Sequence, residues 1–321
     1  MAGLFSFWKR LEPTSQRTAS GGEFSSDAEE GPLFGPRFLD QLKTLSLWNT
    51  RRQSGGSRGE RLSFGRGAGF EFLDHRAYVP GDDLRRLDVA VYQRHRRLFV
   101  REYEEHEDVS VYIIVDSSAS MVCPRPARFR AARRLAAAFG YLALAGSDRL
   151  TVLGVTGTTF EECVQLRGKE RGLVLLRFLE GLEARGKTSL RAAMMRFVRQ
   201  RRRPGLVLLL TDAYDPEGVE GALQLLQGAR HEVVLVQLED EREWLALEDG
   251  EVELVDIETG EQRLTIVNEA FKKQVRERVR KERESLHRFA LGRGMRSEIV
   301  SVEVPLEKAL RMALARGGAR R

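Results

Sequence analysis

Cysteine is scarce in this 321-residue chain. Cys123 and Cys163 are too few for a zinc site and show no CxxC spacing, which fits a reduced compartment and thiols of the core or near surface. Histidine is sparse too: positions 75, 95, 106, 231 and 287 are scattered and form no HExxH arrangement. No apolar stretch approaches the ~18 residues of a membrane span. The longest, Leu135–Gly146, reads as a buried helix. The amino terminus lacks a signal-peptide layout, because Met1–Trp8 is too short an apolar region and Lys9 and Arg10 follow it rather than precede it. These absences make a cytoplasmic protein the expectation.

What is present is apolar content and arginine. The chain is 42% hydrophobic and 31% charged, ample for a packed core, with a net charge of +6 and a pI near 9.5. Between Arg51 and Arg101 twelve arginines face six acidic residues. A nucleic-acid surface would have this charge, as would a solvated basic face or a docking surface for an acidic partner. No helix-turn-helix, zinc-finger or RNP-type aromatic motif accompanies it. Nucleic-acid binding through residues 51–101 therefore stays an alternative only.

Residues 1–33 mix Ser, Gly, Glu and Pro with little apolar periodicity and are expected to be a disordered tail. Phe38, Leu39, Leu42 and Leu45 then mark a short amphipathic helix, a basic Gly-rich loop covers Arg51–Gly69, and residues 34–108 form one N-terminal segment. From Val109 apolar strands alternate with helices: strand Val109–Val115, helix Ala127–Ala145, strand Arg149–Val155, an edge strand near Glu162–Leu166, helices Glu170–Glu183 and Ser189–Arg201, strand Leu206–Thr211, helix Val219–Gly228 and strand His231–Gln237. This pattern over 109–239 predicts an α/β, doubly wound, mostly parallel Rossmann-type sheet covered on both faces. In residues 240–321, Glu251–Asp256 and Gln262–Val267 flank a hairpin turn at Glu258–Gly260. A long charged helix follows from about Asn268 to Leu291, then strand Glu298–Val302 and a helix opened by Pro305.

The chemistry gathers behind the first strand. Asp116, Ser118 and Ser120 form Asp-Ser-Ser-Ala-Ser at its C-terminal end, where open α/β sheets bind ligands. Hard oxygens crowded there suit Mg²⁺ or a similar hard cation. Thr188, in a loop entering a helix, and Asp212, ending the apolar strand Leu206–Thr211, can converge on the same edge. The ordinary alternative is that the two aspartates only cap helices and satisfy loop amides.

In that order and context the five residues resemble the metal-ion-dependent adhesion site of the von Willebrand factor A domain, over about Val109–Glu239. The resemblance implies a cation (Mg²⁺, or Mn²⁺ or Ca²⁺) held by Asp116, Ser118, Ser120, Thr188 and Asp212. It also implies an open position for a Glu or Asp of a protein partner.

Gly181–Thr188 also matches the phosphate-binding expression GxxxxGK[ST], leaving an NTPase as an alternative. A phosphate-binding loop must leave a strand and open a helix. Here Leu175, Phe178, Leu179 and Leu182 instead share a helical face immediately before it. A metal-dependent hydrolase is a further alternative, although no nucleophile–base pair accompanies the carboxylates.

A second signature precedes the sheet: Phe70-Glu-Phe, Arg76, Tyr78, Pro80, Gly81, Asp82, Asp83, Arg85 and Asp88. Pro80-Gly81 reads as a turn, and the mixed charges suit an ion-pair network or a partner-binding face. This stretch is similar to the bacterial family called domain of unknown function 58, from roughly Leu62 to the C-terminus, including Val252–Gly260. It departs at Val89, where the family usually has Trp. The resemblance implies a non-enzymatic adaptor working with a MoxR-type AAA+ ATPase in assembly or remodelling of client proteins.

Overall fold

All seven residues of Ser110–Asp116 are buried, a pattern that only a central strand, covered on both faces, produces. A computed structural model describes residues 32–42, 44, 70–82, 87–88, 91–93, 97–105, 109–187, 189–242, 249–256 and 261–314. The expected tail over 1–31, the basic loop 51–69 and the turn at 258–260 lie outside the described residues. In chain order the elements are β1 (Phe70–Ala77), β2 (Phe99–Glu105), β3 (Ser110–Asp116), α1 (Ala127–Ala145), β4 (Arg149–Thr156), β5 (Thr159–Leu166), α2 (Gly172–Glu180), α3 (Leu190–Arg199), β6 (Leu206–Thr211), α4 (Pro216–Gly228), β7 (Glu232–Glu239), β8 (Gly250–Val255), β9 (Gln262–Val267), α5 (Glu269–Gly292), β10 (Arg296–Ser301) and α6 (Leu306–Leu314).

Six strands form the central sheet in the order β10-β7-β6-β3-β4-β5. Its pairs are parallel except β4 with β5. From β3 the chain crosses to β4 on one side and later returns to β6 on the other. The C-terminal end of β3 is therefore the topological switch point, the crevice that open α/β sheets use for ligands. The doubly wound α/β architecture expected from the sequence is what the structure has.

Alternating side chains of each strand divide between two cores. Val111, Ile113 and Val115 pack with α1, α2 and α6, and with Phe38 and Leu42 of the helical segment 36–42. Tyr112 and Ile114 face α3, α4 and α5. Helix starts follow capping chemistry: Ser189, Asp215 and Asn268 accept the backbone N–H of Ala192, Gly218 and Phe271 at 3.4, 3.0 and 2.8 Å.

Three expectations shift. The helix read over Glu170–Glu183 is a 3-10 turn at Lys169–Arg171 followed by α2, which ends before Gly181. The last helix begins at Leu306, and Pro305 lies before it, its carbonyl accepting the Ala309 N–H at 3.0 Å. The sheet also runs on past residue 239, since β10 pairs with β7 in parallel and supplies the edge strand. The β8–β9 hairpin forms its own small cluster with α5 through Val252, Leu254, Val267 and Val279.

Candidate metal centre

β3 ends in Asp116, and the backbone turns at once through Ser117 and Ser118 into a 3-10 turn at Ala119–Val122. Both oxygens of the buried Asp116 carboxylate are engaged. Oδ1 accepts the Ser118 N–H at 3.0 Å, and Oδ2 accepts the Thr211 hydroxyl at 2.7 Å. The buried hydroxyls of Ser118 and Ser120 lie 2.8 Å apart. Asp212 follows β6, the parallel neighbour of β3, and its Oδ1 accepts the Tyr214 N–H at 3.2 Å. The structure thus brings Asp116, Ser118, Ser120 and Asp212 to one edge of the sheet.

Thr188 lies outside the described residues, but its loop is tied to the same place. Ala119 N–H donates to Gly186 O at 3.0 Å, Arg185 N–H donates to Ser117 O at 3.0 Å, and Ser189 N–H donates to Gly157 O at 2.8 Å.

The electrostatics of this edge are unbalanced. Burial pushes the Asp116 carboxyl up to about 7, and the negative charge of Asp212 pushes it the same way. Asp212 is 2% exposed, and its Oδ2 is buried with no hydrogen-bond partner. Among the described residues neither carboxylate forms an ion pair. Nearby, Asp240, which follows β7, is equally buried but is gripped by both Arg125 Nε and a terminal nitrogen at 2.7 and 2.6 Å. One buried carboxylate at this sheet end has its cation, and the Asp116–Asp212 pair does not.

An orphaned carboxylate oxygen, two like charges in low dielectric and adjacent neutral hydroxyls fit a hard divalent cation. Among the described residues no cluster of three or more His, Cys, Asp or Glu is placed to hold a metal. This set would instead use two carboxylates and hydroxyl oxygens. The cap reading of the aspartates accounts for Asp116 and for one oxygen of Asp212, and leaves the other oxygen unexplained.

Sequence reasoning missed two residues here. Thr211 orients Asp116, and its Oγ also accepts the Ala213 N–H at 3.0 Å. Arg128 is 2% exposed and ties the two loops together, donating to Ser120 O at 3.0 Å, to Cys123 O and to the Tyr214 hydroxyl at 2.7 Å. A usable signal existed for Arg128: arginines 128, 130, 133 and 134 stand in an otherwise apolar helix, and the first three are buried.

The phosphate-loop match is displaced from any strand. It begins at Gly181, which caps α2, while Leu175, Leu179 and Leu182 are buried and Arg177, Glu180 and Glu183 face solvent.

The second signature forms a compact turn on the β1–β2 hairpin. Asp82 Oδ1 pairs with Arg76 at 2.9 Å and its Oδ2 accepts the Val79 N–H at 2.8 Å. Gly81 has φ of +109°, a conformation that glycine allows without strain. The Arg76 guanidinium holds the Asp82 carboxyl below its ordinary range. Tyr78 N–H donates to Leu98 O at 2.9 Å, and buried Asp88 accepts the Val91 N–H at 3.1 Å. Asp83 and Arg85 lie outside the described residues. The Arg76–Asp82 pair closes the turn.

No helix among the described residues is long and apolar enough to cross a membrane.

Fold and site together define a class: a doubly wound α/β protein with a carboxylate–hydroxyl cluster at the switch point of its sheet. The chain belongs to the family described as proteins of unknown function DUF58, whose model matches residues 74–285. It is 29% identical over 237 residues to the uncharacterized proteins Mb1516 of Mycobacterium bovis and Rv1480 of Mycobacterium tuberculosis, covering 72% of this chain and 74% of each relative. Among solved structures it is similar to the conserved hypothetical protein BatB from Bacteroides thetaiotaomicron (15% identity, TM-score 0.36, 64% of this chain and 95% of that one). It is also similar to the manganese-loaded TRAP protein of Plasmodium vivax (15% identity, TM-score 0.34, 64% and 71%). Both structural likenesses are distant.

Proposed function

We propose that this protein is a divalent-metal-dependent interaction module. Asp116, Ser118, Ser120 and Asp212, with Thr188, would hold Mg²⁺ or, in its place, Mn²⁺ or Ca²⁺. When bound, the cation supplies an electrophilic position for an incoming carboxylate. The residues of the chain do the rest. Thr211 and the Ser118 amide fix the Asp116 carboxylate, Arg128 keeps the Ser120 and Tyr214 loops in register, and the neutral hydroxyls add ligands without adding charge.

The observation that carries this reading is the buried, unpartnered Oδ2 of Asp212 beside an Asp116 carboxyl held up to about 7. The partner side is a Glu or Asp of a client protein, and a MoxR-type AAA+ ATPase that acts on the assembly or remodelling of that client. Support for the ATPase is the family resemblance alone.

The test is capture of partners by the tagged chain from a lysate containing a MoxR-type AAA+ ATPase, with and without EDTA. Capture that needs Mg²⁺ and disappears in Asp116→Ala, with the circular dichroism spectrum unchanged, supports the reading. Undiminished capture by Asp116→Ala or in EDTA refutes it.

A further inference from the structure

A cleft of about 700 Å³ opens at the opposite end of the central sheet, below the N-terminal ends of β3 and β4. Ser110 at its floor is six residue steps along β3 from Asp116, about 20 Å at ~3.3 Å per residue. Its volume falls in the range of small-ligand sites, about 300–1,000 Å³. The floor is the sheet face where Tyr112 stands opposite Thr151, and the walls are the end of β5 and the chain leaving α3.

The lining carries five arginines and a single carboxylate, Glu162. Arg202 is already committed: it pairs with Glu162, its Nε donates to Gln200 at 2.7 Å, and its guanidinium lies 5.0 Å from the Phe197 ring centre. That commitment consumes the carboxylate. Arg201 and Arg203 are exposed at the rim and form no ion pair among the described residues.

The floor supplies a second, independent feature. Ser110 and Thr151 are largely buried, at 7% and 6% exposure, and both line the cleft. The backbone is also set for this arrangement. Gln165 and Arg201, on facing walls, have φ of +55° and +49°, a region that costs energy for residues other than glycine and persists where surrounding structure enforces it. Meanwhile the Tyr112 hydroxyl holds Arg203 O at 2.9 Å and anchors the rim strand.

We infer that this cleft is a binding site for a polyphosphate-bearing small molecule, its oxygens taken by the forks of Arg201 and Arg203 and by the floor hydroxyls of Ser110 and Thr151. Guanidinium forks match phosphate geometry, and hydroxyls complete the shell of a multiply charged oxyanion. Concavity and size favour a small ligand over a nucleic-acid strand, which binds along open basic grooves. The site is independent of the metal reading above.

The test is equilibrium dialysis of the full chain against pyrophosphate in EDTA, which keeps divalent cations out of the measurement. One-to-one saturable uptake is expected. The variant Arg201→Ala/Arg203→Ala weakens it by roughly tenfold or more, and Thr151→Val weakens it by a smaller factor, at an unchanged melting temperature. If the double variant melts lower, Arg203→Gln replaces it, since it removes the guanidinium while keeping a long polar side chain; it too must weaken uptake severalfold. No uptake by the wild-type chain, or uptake indifferent to these changes, overturns the inference. So does a poly-glutamate peptide or a single-stranded oligonucleotide that binds more tightly than pyrophosphate, since either assigns the cleft to a macromolecular partner.

Discussion

The two ends of the central sheet present opposite electrostatic problems. At the C-terminal end, Asp116 and Asp212 are buried side by side without a cation, and the nearest ion pair serves Asp240 instead. At the N-terminal end, arginines line a cleft that holds one carboxylate, already paired with Arg202. Between the ends, Val111–Val115 of β3 and Leu206–Leu210 of β6 carry no charge, so neither end relieves the other. The comparison teaches where to look for ligands. A buried charge without its counterpart is costly, and a protein that keeps one is prepared for something absent from its own chain.

The first change breaks the metal end. Asp212→Asn removes one of two buried like charges. In EDTA it should stabilise the fold by on the order of 1 kcal/mol, since burial, the larger cause of the raised Asp116 carboxyl, stays and only the repulsion from Asp212 is lifted. In saturating Mg²⁺ the order should reverse, because the wild-type chain alone gains binding energy. Denaturant melts in both conditions measure it. A variant less stable than wild type in EDTA would mean the carboxylates are not in conflict.

A second change tests whether the metal end depends on its clamp. Arg128→Met removes a buried guanidinium that holds Ser120 O, Cys123 O and the Tyr214 hydroxyl, and should cost about 2–4 kcal/mol. Arg128→Lys keeps the charge and loses the fork, so it should recover only part of the stability. Full recovery would show that charge, not geometry, is what the site needs. Thr211→Val has a smaller reach: it strips one hydrogen bond from Asp116 and should cost about 1–2 kcal/mol, again by denaturant melt.

The smallest effect sharpens the other end. His231 sits beneath the cleft against Tyr112 and Phe197, with ring centres 5.3 and 5.6 Å apart, and its Nδ1 accepts the Gly205 N–H at 3.2 Å. Burial holds its pKa below the ordinary value of 6.5. A depressed folded pKa means the native state binds fewer protons than the unfolded chain. Its contribution is therefore complete above pH 6.5 and is lost as pH falls through the lower folded pKa. Melting temperatures at pH 5 and 7.5 should differ by about 2 °C more in wild type than in His231→Gln. An equal difference would remove His231 from the account.

Much of the C-terminal end was legible in the sequence, because its parts are punctuation on apolar strands. Asp116 and Asp212 each follow a run of buried β residues, and parallel pairing of β3 with β6 places them side by side. Thr211 was hidden by its own neighbours, a hydroxyl that reads as the last residue of a strand. Arg128 was hidden because burial of a guanidinium depends on carbonyls supplied from other segments. The N-terminal cleft was not legible at all. Ser110, Thr151, Glu162 and Arg203 come from four elements, and only the reversal of β5 against β4 and the turn at Arg201 set them around one space. The place of β10 in the sheet was equally hidden, since a short half-buried strand does not announce its neighbour.

Calorimetric titration of the full chain with Mg²⁺, repeated with Mn²⁺, tests the central claim most directly. One site per chain is expected in the wild-type protein, with no detectable heat of binding in Asp116→Ala or Asp212→Ala. A wild-type chain that takes up neither ion, or variants that bind as it does, would contradict the claim.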